Sequence, residues 1–357
     1  MSDSPNIVRE TTRSDVTPSG GQEQADLTAA RRRSGWISRE TLRSREFALI
    51  PVVLLAMLIG FIITPVFLTQ RNLTNLLQQS SELAIVVVAL TLILIAGKFD
   101  LSLESTFAFA PMVAAWAVLP VAAGGSGLGL PGWLGVPLMI VVAIVVGLIN
   151  STLIVRLGLN AFIITLAMLI LLRGLTLGLV SGRTLFQLPE SFLWLGSAQI
   201  FSIPVSVLVC GLVFILAALF LRFHRVGRSL YVIGGNREAA RAAGINVDRV
   251  LIGVFIVAAV LAAIAGLALV GRTAAVTPSQ GANLIFSAFA AAVIGGVSLN
   301  GGRGTMLGAF LGVLLLAIIT NILTLSQIPS FWIDATNGAI ILVAILFSRF
   351  TGRAEAD

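Results

Sequence analysis

Four residue types are nearly missing, since the 357-residue chain holds one lysine, one histidine, one cysteine and one tyrosine. Each scarcity excludes something. Cys210 can form no disulfide within the chain, and its surroundings, "VSVLVCGLVFILAALF", make it a packing residue. His224, in "LRFHRVGR", has no second histidine with which to share a metal or relay a proton, and reads as a solvated residue at a membrane edge. A phosphate-cradling loop needs Gly-x-x-x-x-Gly-Lys followed by Ser or Thr. The one lysine, Lys98, follows Gly97, but Phe99 comes next and Leu92 stands where the first glycine is required. The chain therefore offers no nucleotide site of that kind, no hydrolytic constellation and no metal site.

Charge is scarce as well. Charged residues make up 11% of the chain, against about 25% in an ordinary soluble domain. Hydrophobic residues make up 57%. That much apolar surface cannot be hidden in the core of one globule of this size, so its solvent is lipid. The net charge of +7 comes almost wholly from arginine. These arginines cluster outside the apolar runs rather than in a stripe on a soluble surface, which sets nucleic acid aside and points to orientation in a bilayer.

The opening segment, 1–46, is rich in Ser, Thr, Gly and charge and lacks an apolar period, so it reads as a disordered tail and not a secretory signal. Its arginines at 31–33, with Arg39, Arg43 and Arg45, sit just before the first hydrophobic run, where they hold this end in the cytoplasm or meet lipid headgroups. A transmembrane domain over 47–349 and a short cytoplasmic tail at 350–357 complete the division. Hydrophobic runs fall near 48–69, 82–97, 101–121, 133–155, 161–181, 201–221, 250–271, 283–296, 305–325 and 331–348. The expected fold is an all-α polytopic membrane protein with about ten transmembrane helices. The runs at 82–97 and 283–296 are short and end in glycine, and are expected to be broken or re-entrant. With both termini cytoplasmic, every Lys and Arg lies inside except Arg71, Arg183 and Arg272 in outer loops and Arg173 within a span. One crossing more or fewer would put an arginine-rich segment outside.

One polar insert, within the cytoplasmic loop 222–249, stands out: "GRSLYVIGGNREAARAAGINVDRV". Gly234 and Gly235 are expected to break the chain, and Asn236 is a good N-cap. The stretch "REAARAA" favours helix, with Glu238 in the first turn where the helix dipole favours an anion. Gly244 is expected to end the helix. Two turns are too few to be stable alone, so this helix must dock on something, either its own protein or another.

The pattern GR-x-x-Y-x-I-GGN-x-x-AAR-x-x-GI resembles the coupling loop of permease subunits in bacterial ABC importers of the ribose type. "DLS" at 100–102, "GLIN" at 147–150, "AFIITLAMLILLRGLTL" at 161–177 and "AAAVIGGVSLNGGRGTMLGAFLG" at 290–312 are similar to further segments of that family, in the same order. The resemblance covers about 60–348. It implies an inner-membrane permease that forms a dimer with a second copy or a paralogue. It also implies ATPase subunits that use ATP and Mg, and a periplasmic binding protein that delivers a sugar. On that resemblance Asn236, Arg237, Glu238, Ala239, Ala240, Arg241 and Gly244 form the coupling helix, and Gly227, Arg228, Gly234 and Gly235 shape its approach.

Polar residues inside spans are costly in lipid and mark candidate pathway positions. Arg173 is the costliest, and two readings stand for it: it lines the pathway, or it ties helices together through backbone carbonyls. Asn150, Asn160, Thr165, Asn321 and Asn337 are softer candidates whose alternative role is hydrogen bonding between helices. "AGKFDLSLEST", 96–106, departs from the family pattern, with Lys98 and Glu104 in places where glycine is usual. It reads either as a polar site at a broken-helix junction, or as a local cap in which Asp100 or Ser102 starts the third span, Glu104 complements its dipole and Lys98 pairs nearby. Ile285 and Ser287 stand where many relatives carry acids, so any role of those acids is absent or relocated. Uptake of nucleosides or branched-chain amino acids, or ATP-independent secondary transport, are the alternative functions.

Overall fold

The computed structural model describes residues 39–333, 335–340 and 342, with side chains from Ala48 onward. The chain divides into two units, Met1–Arg45 and Glu46–Asp357, and the second carries the membrane helices. The arginines at 31–33 and the tails at either end lie outside the described residues, as do the side chains of Arg39, Arg43 and Arg45.

Helix α1 spans Arg39–Ile63, and Pro65 ends it by restricting the residue before it. Thr69 then caps α2, Gln70–Ile95. Next come α3 (Leu103–Val118), α4 (Gly135–Ser151, extended by a π-turn at Thr152–Arg156) and α5 (Ala161–Leu179). A short helix α6, Glu190–Ser197, and an antiparallel hairpin of β1 (Gln199–Ile200) with β2 (Ile203–Pro204) lead into α7, Val205–Phe223. The polar insert forms α8 (Arg225–Gly235) and α9 (Arg237–Ala242), after which α10 runs over Val247–Thr273. Helices α11 (Leu284–Ile294) and α12 (Met306–Leu325) complete the named set, and 330–333 and 335–340 are helical.

Six of these helices are long and apolar enough to cross a bilayer: α2, α4, α5, α7, α10 and α12. The apolar part of α1 (Ala48–Ile63), α3 and α11 are shorter apolar helices. The protein is thus all-α apart from its two-residue strands, with several membrane-crossing helices. The last hydrophobic run, 331–348, lies largely outside the described residues.

One expectation needs correction. The run at 82–97 is not a short or broken helix but the inner part of one unbroken 26-residue helix. Its first three turns, "QRNLTNLLQQSS", look too polar for a span, yet the two amides that face the bundle, Asn72 and Gln78, are satisfied by protein. Asn72 and Asn321 of α12 exchange hydrogen bonds at 2.9 and 3.1 Å, and Gln78 donates to the Gly196 carbonyl at 2.6 Å. The run at 283–296 forms one continuous helix of 11 residues, followed by Gly295 and Gly296.

Helix α10 is the central post, packed by α2, α3, α4 and α6. Lipid tails are as apolar as leucine, so such packing rests on close van der Waals fit rather than on escape from water. Small residues provide the fit. At Gly266 an added Cβ would lie 2.0 Å from the Phe107 carbonyl oxygen, so α3 and α10 touch backbone to backbone. Burial in α2 and α10 is heavy, whereas α5 and α7 turn many large apolar side chains outward, as lipid-facing helices do. At about 1.5 Å per residue, the 27 residues of α10 span about 40 Å. Asp248 and Arg249 stand at one end and Arg272 at the other, where it binds Glu82 of α2 through two bonds of 2.7 and 3.1 Å.

Candidate functional site

Two arrangements qualify: the polar insert at one end of the bundle, and a buried polar cluster at the α2–α3 junction.

The insert folds from local chemistry. The His224 ring accepts a hydrogen bond from the Val226 N–H at 3.2 Å and stacks on Phe220. The lone histidine is therefore a helix cap. Along α8, Gly227, Leu230 and Ile233 face inward at a spacing of three. Gly234 and Gly235 do not break this helix, contrary to the sequence expectation. It continues through Gly235, and the turn comes at Asn236, whose backbone is extended. The Asn236 side chain accepts from the N–H groups of Glu238 and Ala239, both at 2.9 Å, capping α9. Gly244, at φ 78°, supplies the left-handed residue that ends the run.

Helix α9 has six residues, too few to offset its own nucleation cost. Its own chain holds one side of it. Ala240 is fully buried, and Arg237 and Arg241 both reach Asp248 in the first turn of α10, at 3.1 and 3.6 Å. The other side is open, and Asn236, Glu238, Ala239, Arg241 and Gly244 are exposed there together.

The base of the insert meets the membrane helices without intervening side chains. A Cβ on Gly234 would lie 2.0 Å from the Ile95 carbonyl oxygen at the end of α2 and 2.5 Å from the Gly302 nitrogen. Gly302 donates to that same carbonyl at 2.9 Å, Gly301 packs on Gly97, and the Tyr231 hydroxyl donates to the Gly304 carbonyl at 2.9 Å. Three segments far apart in sequence thus share one glycine joint. Lys98, beside it, forms no ion pair among the described residues. Burial, and after it the charge of Arg237, holds its amine below the usual lysine range.

Past this joint the chain 96–102 enters the bundle as non-helical backbone, and the polar cluster begins. Asp100, Ser102 and Asn150 come together. Asn150 donates to the Ser102 hydroxyl at 2.7 Å, and Asp100 accepts from that hydroxyl at 2.6 Å and from the Ser102 N–H at 2.9 Å. All three are buried, and the Asn150 Oδ1 has no partner among the described residues. One turn on, Glu104 pairs with Arg173 of α5 and accepts from the Ile285 N–H in the first turn of α11 at 3.3 Å. The Glu104 side chain is 3% exposed and that of Arg173 34%. Irregular backbone at membrane depth persists only where protein or a cavity encloses it, and this network does the enclosing. Arg173 is tied by a carboxylate rather than by backbone carbonyls.

The remaining candidates lie apart from it. Asn160 is exposed and caps α5, accepting from Phe162 and Ile163. Thr165 is buried and bonds back to the Ala161 carbonyl at 2.8 Å. Asn321 is spent on Asn72, and Asn337 falls in the helical stretch 335–340. Sequence reasoning missed Glu82, Asn72 and Gln78. Glu82 was open to notice as a carboxylate at the edge of an apolar run, but its partner Arg272 lies 190 residues away. Among the described residues no group of His, Cys, Asp or Glu could hold a metal ion.

A family model described as the permease component of branched-chain amino acid transport systems matches residues 72–347. The chain belongs to this permease family. The ribose import permease protein of Haemophilus influenzae is 31% identical over 88% of this chain and 96% of its own length. The corresponding Escherichia coli K12 protein is 33% identical over 83% and 91%. An L-arabinose ABC transporter permease of Azospirillum brasilense is 32% identical over 80% and 82%. No solved structure matches significantly. The family and the helices together make this a multi-pass permease of the bacterial inner membrane. Within this fold, Glu104 brings a carboxylate from α3 to the backbone of Ile285 at the start of α11.

Proposed function

We propose that the chain is the transmembrane permease of an ATP-binding cassette importer and moves a monosaccharide, most simply a five-carbon sugar, by alternating access. The observation that carries this reading is the agreement among relatives. Among relatives that match four-fifths or more of the chain are permeases named for ribose, L-arabinose and xylose. In this reading ten helices cross the membrane, both termini are cytoplasmic, and 1–46 is a cytoplasmic tail.

The chain has no phosphate-binding loop of its own, so energy must enter from outside, through ATPase subunits that hold ATP and Mg. The exposed side of α9, bearing Glu238 and Arg241, is the surface they would grip. Displacement of α8 would then reach α2 and the 298–304 turn through the glycine joint. From there it would pass to the segment bearing Asp100, Ser102 and Glu104, beside Asn150 and Arg173. A solute-binding protein delivers the sugar at the opposite face, and a second permease, identical or paralogous, completes the pathway. The family description favours a second cargo class, branched-chain amino acids.

The test reconstitutes the permease in vesicles with its ATPase and binding protein. Uptake of ribose, arabinose or xylose should require ATP, and reversing charge at Glu238 and Arg241 should uncouple ATPase activity from uptake. The binding protein's affinity for sugar should not change. Uptake by the chain alone without ATP, or normal coupling in an Ala239→Pro variant, would overturn the assignment. A binding protein stabilised by leucine and by no sugar would redirect it to amino acids.

A further inference from the structure

Between α2, α7 and α10, at the end of the bundle that carries the insert, lies an apolar cavity of about 470 Å³. Its walls include Leu92, Leu216, Phe220 and Val257, and Arg249 stands at its mouth. Leu216 and Val257 are exposed, so the cavity is a groove open at the surface of the helix bundle. Two features specify what fits it. Along α10 it runs from Arg249 to Leu261, a rise of about 18 Å, close to the roughly 15 Å that one leaflet contributes to a hydrocarbon core. The one charged side chain among the described lining residues is Arg249. The neighbouring Asp248 is engaged by Arg237 and Arg241, whereas Arg249 is exposed and forms no ion pair among the described residues. Arg222 and Arg225, both exposed, flank Phe220 and Val226 of the groove in sequence and add to the positive charge of that region.

We propose that this groove is a binding site for an anionic phospholipid, with one acyl chain between α7 and α10 and the phosphate on Arg249. An acyl chain matches the apolar walls and the one-leaflet length. A headgroup with net negative charge matches the Arg249 guanidinium at the depth where headgroups lie. The inference requires only that the chain crosses a bilayer, and it stands whichever sugar, if any, the permease carries.

Gly253 makes the test clean. It lies in the groove wall, and a Cβ there would meet no heavy atom within 4 Å, so Gly253→Phe places bulk in the groove without opposing backbone. The purified permease is incubated with phosphatidylglycerol or phosphatidylcholine, and bound lipid is counted by native mass spectrometry. The wild-type chain should retain phosphatidylglycerol at least threefold over phosphatidylcholine. Arg249→Gln should bring that ratio near one, and Gly253→Phe should at least halve retention of both lipids. A phosphatidylglycerol with a photoreactive acyl chain, used on the unaltered protein, should label peptides containing Leu216 and Val257. Equal retention of the two lipids by the wild type, unchanged retention in both folded variants, or labelling confined to other helices would each overturn the proposal.

Discussion

The Glu104–Arg173 pair allows a quantitative test of what holds the α2–α3 junction in place. The variant Glu104→Gln keeps the shape and an acceptor for the Ile285 N–H, so it isolates the loss of charge. Leaving one member of a buried ion pair uncompensated costs about 3–5 kcal/mol. Arg173 is a third exposed, so it can relax, and a cost of about 2–3 kcal/mol is the fairer figure. Arg173→Met strands the Glu104 carboxylate instead, at a similar cost of about 2–3 kcal/mol, limited by the hydrogen bond it keeps from the Ile285 N–H. In the double variant Glu104→Gln/Arg173→Met neither charge is left alone, and stability should return to within about 1 kcal/mol of wild type. The coupling energy is then at least about 3 kcal/mol. Denaturant unfolding of the purified permease in micelles, followed by tryptophan fluorescence, measures all four corners. Additive effects, with the double variant as weak as the two singles combined, would refute the pairing.

Three further outcomes follow from the described contacts. Gly234→Ala sets a methyl against the Ile95 carbonyl and should destabilise by about 3 kcal/mol, the upper end for overpacking, with the same unfolding assay as the check. Asn236→Ala removes the double cap of α9 and should cost about 1 kcal/mol, while Asn236→Gly costs a few tenths. Hydrogen exchange should show the loss first at Glu238 and Ala239. Asn321→Ala removes both bonds to Asn72 and should cost about 1 kcal/mol, and Asn72→Ala made on top of it should cost little more on the same unfolding curve.

What could be read in advance was whatever a few neighbouring residues decide. The Asn236 cap and the Gly244 stop depend on chemistry within one or two turns, and each stands in the structure as the sequence implies. The outer turns of α2 were illegible for the opposite reason. Asn72 and Gln78 look unfit for a span until Asn321, 249 positions from Asn72, and the Gly196 carbonyl are known to receive them. Glu104 behaves in the same way. Its local reading, as a complement to its own helix dipole, was reasonable, but its strongest partners come from α5 and α11, which no periodicity links to α3. Gly234 and Gly235 misled because glycine weakens a helix without ending one. The intramembrane polar candidates divided likewise: Asp100, Ser102 and Asn150 met one another and Glu104 met Arg173, whereas Asn160, Thr165 and Asn321 found partners elsewhere.

The glycine joint also constrains how this protein can change over generations. A site built of side chains can drift, since a smaller residue at one position admits a larger one opposite. Where Gly234 meets the Ile95 carbonyl and Gly301 meets Gly97, nothing on either side can shrink. A first substitution there has no compensating second, so three segments of the gene that lie far apart should be locked to the same residue together. Variation in such permeases should therefore gather along the lipid-facing helices, leaving this point as a fixed origin from which the rest diverges.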